Sequence, residues 1–320
     1  MPSNPLRKFV DPLLPAAAVG LSAEGAGVVS LERRRDMLAV RRAGYTPLAE
    51  GLLRPHFDEP NVRDPAELTE ALAELVTTTG LLKQHRWSAA LPENATRTAV
   101  VTLESTPGSR AETEEMLQWK TERAVGAPSA EVRVSRDRLT PDAQGRARYL
   151  VTAVRLPVLE EYESVFASLG WQTGLVLPRH MGEAWWLMRD GAGPSDALLV
   201  SGHADGFTAV ILRRRQPLVV RNVQCDADDC TDELYRFMLF YRDRLTTPVA
   251  EGAQAAGGVE RLLVTGTGFD ARAASAVVEE TLSVAPRTLR AEDLRLVFPT
   301  DSLDFAQLAA PAGLAALKWA

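Results

Sequence analysis

The residues best placed to do chemistry in this chain sit in two turns that resemble each other. The first runs Gly20-Leu21-Ser22-Ala23-Glu24-Gly25-Ala26-Gly27, the second Ser201-Gly202-His203-Ala204-Asp205-Gly206. Each falls between two apolar, strand-like runs, where a duplicated two-lobed fold places its ligand. His203 has the chemistry of a general base, but no sequence partner orients it. Gly266-Thr267-Gly268 is a third glycine turn, which a strand-to-helix junction explains as readily as a nucleotide contact. Cys225 and Cys230 are the only cysteines, and the histidines His56, His85, His180 and His203 are scattered. No metal set follows from that spacing, and the cysteines read as two free thiols in a loop. No Gly-x-Ser-x-Gly elbow, Walker loop or His-Glu-x-x-His helix occurs.

The elements that carry these turns repeat. Ala16–Leu21, a turn, Gly27–Leu31, the basic tip Arg33-Arg34-Arg35 and Met37–Arg41 form three successive strands. Ala197–Ser201, a turn, Thr208–Leu212, the basic tip Arg213-Arg214-Arg215 and Leu218–Arg221 form three more. Two β-β-β openings half a chain apart predict a duplicated α/β fold. Between them, helices are expected over Pro65–Gly80, Arg110–Ala124 and Leu156–Leu169, and strands over Trp87–Leu91, Thr98–Leu103, Glu131–Arg136 and Arg148–Val154. The order β-α-β-β-α over 93–170 describes a small split-βαβ module inserted in the first lobe. The expected divisions are a first lobe over 16–92, the module over 93–170, a return over 171–195, a second lobe over 196–304 and a C-terminal helix over 305–320 that crosses back. Within the second lobe, helices are expected over Asp232–Leu245 and Ala271–Leu282, with a surface loop over Thr246–Gly258. Trp185-Trp186 falls on a further helix after Arg179.

Composition narrows the function. The 320 residues are 46% hydrophobic and 24% charged, with a net charge of −6. That is ordinary for a globular protein and argues against a general nucleic-acid binder, which needs a basic surface. No apolar run approaches the ~18 residues of a membrane span. Met1–Val10 carries Arg7 and Lys8 but lacks a continuous apolar core after them, so a signal peptide is not expected and the cytoplasm is the default. The basic tips read as exposed hairpin turns.

Several segments, in order along nearly the whole chain, resemble the PilM-type assembly proteins of type IV pilus systems, which belong to the actin-like ATPases and are similar to FtsA. They are Ala90-Leu91-Pro92, Met116–Glu122 leading to Pro128, Leu169-Gly170-Trp171, Arg221 to Thr231, Val264–Gly268 and the Ala-Gly-Leu-Ala-Ala-Leu ending at Leu317. The resemblance implies a two-lobed actin-like, ribonuclease-H-like duplicated fold. It also implies phosphate loops of the form Asp-x-Gly-x-x-(Ser/Thr), in which small residues admit phosphates to backbone N–H groups and the aspartates organise Mg²⁺. On that pattern the nucleotide contacts would be Ser22, Gly25, Gly27, Ser201, Gly202, Gly206, Gly266 and Gly268. This chain departs from it, because Ser22 and Ser201 stand where both aspartates belong and Glu24 and His203 replace glycines. Glu24 and Asp205 are two to four positions away, a displacement of several ångströms. The nucleotide site is therefore expected to be degenerate and no cofactor is expected, with Mg-ATP as the alternative.

The resemblance further implies a cytoplasmic scaffold of the pilus inner-membrane platform that binds the cytoplasmic tail of a PilN-like membrane protein. The tail would lie between the first lobe and its module, touching Trp87, Ala90, Pro92, Met116, Trp119 and Lys120. Other platform or motor proteins of the pilus are further candidate partners. An active actin-like ATPase and the cytoplasmic domain of a GspL-like type II secretion protein are the alternatives. The absence of a span before Ala320 disfavours the second, and Lys318 alone makes the tail too poor in basic residues for an FtsA-like membrane helix.

Overall fold

The computed structural model describes residues 14–105, 108–189, 195–245, 258–299 and 303–320. The expected signal-free N-terminus and nearly all of the expected 246–258 loop lie outside them.

The chain opens on an antiparallel meander, β1 (Ala17–Leu21), β2 (Gly25–Arg34) and β3 (Met37–Pro47). Helix α1 (Pro65–Thr78) follows, started by Asp64, whose carboxylate accepts from the N–H groups of Ala66 and Glu67. Strand β4 (Arg86–Leu91) then returns parallel to β1. Next come β5 (Thr96–Thr102), α2 (Arg110–Val125), β6 (Val132–Leu139), β7 (Arg148–Arg155), α3 (Leu156–Ser168), β8 (Gln172–Pro178) and α4 (Arg179–Arg189). The second lobe repeats the opening with β9 (Asp196–His203), β10 (Gly206–Arg213) and β11 (Gln216–Gln224). After α5 (Cys230–Phe240), β12 (Val259–Gly266) lies parallel to β9, as β4 does to β1. Helix α6 (Ala271–Leu282), the short strands β13 (Arg287–Thr288) and β14 (Leu296–Val297), and α7 (Phe305–Ala316) complete the chain.

The sheets read β14-β3-β2-β1-β4-β8 and β11-β10-β9-β12-β13. Meander plus parallel fourth strand appears in both, so the duplication expected from sequence is real. The layers follow from which face of each element is apolar. Helices α1 and α3 cover the outer face of the first sheet with Leu68, Leu72, Tyr162 and Phe166, and α5 and α6 cover that of the second with Leu234, Phe237, Val277 and Val278. Helices α4 and α7 fill the space between the sheets. Small residues let them approach: a methyl group on Gly182 or Gly313 would overlap the other helix's backbone. Each large aliphatic side chain buried this way contributes about 1.5–3 kcal/mol.

The third sheet, β5-β7-β6, belongs to the inserted module and packs on α2 through Leu117, Val125, Val132 and Val151. Helix 156–168, which the element order assigned to the module, instead packs in the first lobe beside α1, with Tyr162 and Phe166 fully buried there. The module also leans on the second lobe: Arg148 donates to the carbonyls of Pro217 (3.0 Å) and Leu218 (3.2 Å). The two cysteines correct a second expectation. A turn in which Asp229 N–H donates to Asp226 O (3.0 Å) brings Cys225 and Cys230 to a Cα separation of 5.6 Å, and they form a disulfide rather than free thiols.

Candidate functional site

The β1–β2 and β9–β10 turns face each other across the seam between the lobes. Ser22, at the position of the expected metal carboxylate, spends its hydroxyl inside its own turn: Oγ accepts from Gly25 N–H (3.1 Å) and lies 3.2 Å from Gly25 O. Gly25 lies under the Tyr45 ring and Gly27 under Leu308 of α7, so both glycines admit protein atoms. Gly202 and Gly266 lie back to back on neighbouring strands, where neither has room for a Cβ, and Gly266 adopts φ 75°. Gly206 and Gly268 hold the positive φ values of their turns, 134° and 79°. Ser201 is fully buried, its Oγ without a hydrogen-bond partner.

Both displaced carboxylates are committed to bonds. Glu24 accepts from Thr267 Oγ1 across the seam (3.0 Å), and Asp205 accepts from Asn94 Nδ2 (2.9 Å). The space bounded by Ser22, Glu24, Tyr45, Arg179, Gly202, Gly266, Thr267 and Gln307 is only about 10 Å³, room for about one water. Gln307 also lines a larger open space, about 1320 Å³, bounded by Asp270, Arg272, Glu279, Arg290 and Phe305.

Beneath the turns lies a polar network not foreseen from sequence. Glu93, just after β4, accepts from the backbone N–H (2.7 Å) of His180, its other oxygen lies 2.6 Å from His180 Nδ1, and it accepts from Thr208 Oγ1 (2.9 Å) of the second lobe. Burial alone would raise the Glu93 carboxyl, but the His180 imidazole and these bonds outweigh it and hold it at about 2. Glu183, one turn further along α4, is fully buried, 3.2 Å from Arg179. Burial pushes its carboxyl up, and the hydroxyls of Ser201 and Thr265 lie beside it without ordinary hydrogen-bond geometry. Burial lowers His203, against the opposing pull of Glu93 and Asp205. His203 Nε2 and His180 Nε2 are both buried without a partner. One signal was legible: His180, Glu183, Ala184 and Leu187 share one helical face, which puts two polar groups on an apolar stripe.

The residues expected to touch a partner separate into two places. Trp87 is wholly buried and stacks on Trp171 (4.6 Å between ring centres), Ala90 lies in the central core, and Pro92 is buried. Met116, Trp119 and Lys120 lie on α2. Met116 is half-buried, Trp119 is 57% exposed, and Lys120 pairs with Glu104 at 3.1 Å. A shallow groove enclosing only about 70 Å³ does lie between first lobe and module, but elsewhere. Leu91, Leu159, Val176, Leu177 and Pro178 form its lobe side, and Thr96, Arg133, Ser135, Thr152 and Val154 its module side. Because side chains alternate along a strand, Val132, Val134 and Val151 face α2 while Arg133, Ser135 and Thr152 face the groove. Helix α2 is therefore on the opposite face of the module's sheet, and Trp87 and Ala90 are corrected to core residues. Strands β8 and β6, both lining the groove, are the outermost strands of their sheets.

Two lobes opening on the same meander, with a cleft between them and a small module inserted in the first, define the two-lobed actin-like fold. Within that class the chain is similar to a chain of the PilM-PilN type IV pilus biogenesis complex, at 19% identity over 96% of this chain and 99% of that one, with a TM-score of 0.76; it has the PilM fold. It is also similar to a Bacteroides thetaiotaomicron protein of actin-like ATPase fold and unknown function (12% identity, 93% and 94% of the two chains, TM-score 0.48). A third likeness is to the cytoplasmic domain of EpsL, an inner-membrane component of the Vibrio cholerae type II secretion system (13% identity, 95% and 93%, TM-score 0.46). No protein-family model and no curated protein matches the sequence.

Proposed function

We propose that this chain is a scaffold of a type IV pilus inner-membrane platform that holds the cytoplasmic tail of a PilN-like membrane protein in the groove between first lobe and module. The observation that carries the reading is the pair of outermost strands, β6 and β8, lining one groove. An outermost strand offers unpaired N–H and C=O groups. An extended tail can add to it by main-chain hydrogen bonds, with side chains reaching the apolar floor of Leu91, Leu159 and Val176. The likeness to a chain of the PilM-PilN complex supports the same assignment. In this reading the interlobe cleft is a structural seam rather than a nucleotide site, because Ser22, Glu24 and Thr267 occupy it with their own hydrogen bonds. Among the described residues no helix is long and apolar enough to cross a membrane.

The test is calorimetry with a synthetic tail of the PilN-like protein encoded in the same genome. Tail binding that Val176→Asp abolishes and Trp119→Ala leaves intact supports the groove. Binding unaffected by Val176→Asp refutes it.

A further inference from the structure

The basic tips of the two meanders, which the proposed function does not use, converge. The β2–β3 tip belongs to the first lobe and the β10–β11 tip to the second, yet both are pinned to the C-terminal end of α4. Arg215 Nε donates to Met188 O (2.5 Å), and Arg189 donates to Leu294 O (3.2 Å) and Asp36 O (3.4 Å). Leu38 N–H donates to Arg295 O (3.1 Å), which brings Arg295 to the same end. Burial, and then the neighbouring charges of Arg295 and Arg33, depress the Arg189 guanidinium. Arg33, Arg35, Arg214, Arg215 and Arg295 are all exposed there. The acidic groups alongside are Glu32, paired with Arg34, Asp293, paired with Arg287, and the exposed Asp36 and Glu292. A protein of net charge −6 thus carries a basic pole.

Backbone conformation sharpens the point. Among the described residues five non-glycine residues have positive φ, and four are arginines of this pole: Arg35 (55°), Arg214 (51°), Arg215 (66°) and Arg295 (54°). The fifth, Ser283, ends α6. The left-handed region is unfavourable for any residue with a Cβ, and glycine, asparagine or aspartate is the usual occupant of such turns. Arg215 pins its tip to Met188 O, but nothing in the backbone conformation favours arginine over glycine at the other three.

We propose that this pole is a docking face for an anionic membrane surface. Arg35, Arg214 and Arg215 stand on the hairpin tips of the two lobes and Arg295 in the turn before β14, all exposed, an arrangement that suits a surface laid across them. Exposed apolar side chains accompany them: Met37 beside Arg35 (42% exposed) and Val297 beside Arg295 (47% exposed). Basic residues around a few apolar ones are the composition of a peripheral lipid-headgroup contact. The inference stands apart from the tail groove, since it concerns the chain without any partner.

The experiment is co-sedimentation of the purified chain with vesicles of phosphatidylcholine alone or of phosphatidylcholine with phosphatidylglycerol, at low and physiological salt. The test variant is Arg35→Gly/Arg214→Gly/Arg295→Gly, because glycine suits each backbone and the fold should melt no lower. An arginine near an anionic surface is worth roughly fivefold in partitioning, so the triple variant should bind roughly 100-fold more weakly. Arg63→Gln/Arg110→Gln/Arg123→Gln, an equal charge change elsewhere, should bind as the parent does. Salt should weaken parent binding, and phosphatidylcholine alone should bind none. Equal binding by parent and glycine variant, or arginine-dependent binding of duplex DNA without vesicle binding, would overturn the proposal.

Discussion

Glu24 of the first lobe and Thr267 of the second meet across the interlobe seam, where the threonine hydroxyl donates to the glutamate carboxylate at 3.0 Å. Glu24 stands where the actin-like pattern has a glycine that would admit a phosphate. The bond ties the two lobes together, and the carboxylate adds negative charge to a space of about 10 Å³. Calorimetry with Mg-ATP should therefore show no binding tighter than about 1 mM, the level worth roughly 4 kcal/mol. A micromolar constant would mean that the seam opens and that the altered turns still serve nucleotide.

The Glu93–His180 pair should show in acid unfolding. The Glu93 carboxyl lies at about 2 in the folded chain against an ordinary 4.5. A depressed folded value contributes stability above the unfolded value, and that stability is lost as pH falls from 4.5 toward 2. Glu93→Gln should cost about 3 kcal/mol at neutral pH, with the difference from the parent narrowing across that window. A difference independent of pH would assign the loss to hydrogen bonds alone.

Reduction should have a modest effect. The disulfide closes a sequence separation of five residues, for which loop entropy gives about 2 kcal/mol. Thermal unfolding with and without a dithiol should show a lowered but cooperative transition. Two titratable thiols in the protein as isolated would contradict the bond.

Gly182→Ala should destabilise the chain by about 1–3 kcal/mol, because the added methyl meets the α7 backbone at Ala310. Gly145→Ala, by contrast, meets nothing within 4 Å but sits at φ 76°, so its cost should be the smaller backbone term of about 1 kcal/mol. Denaturant titrations of the two variants compare packing with conformation directly.

How much was legible depends on where each element finds its partner. The meanders could be read because alternating apolar residues and a basic tip recur in the same order, a local pattern. Helix 156–168 could be read as a helix but not placed, since β-α-β-β-α is the same string whether Tyr162 packs on the module or on the first lobe. Trp87 illustrates the same limit: its neighbour Trp171 is far away in sequence and hides it from any partner. The groove was half legible, because the alternation from Val132 onward already assigns Arg133 and Ser135 to one face. Glu93 went unread because a buried carboxylate in a loop differs from a surface one only through partners from other elements, whereas His180 and Glu183 left a trace in the apolar stripe of their helix.

Hydrogen exchange of the full chain with and without the PilN-like tail would locate the docking strand directly. Slowed exchange is expected for backbone amides in β6 (Val132–Leu139) or β8 (Gln172–Pro178), the outermost strands of their sheets among the described residues, with the α2 face around Trp119 unchanged. Protection confined to α2 or to the seam turns at Ser22 and Ser201, with both strands unaltered, would contradict it.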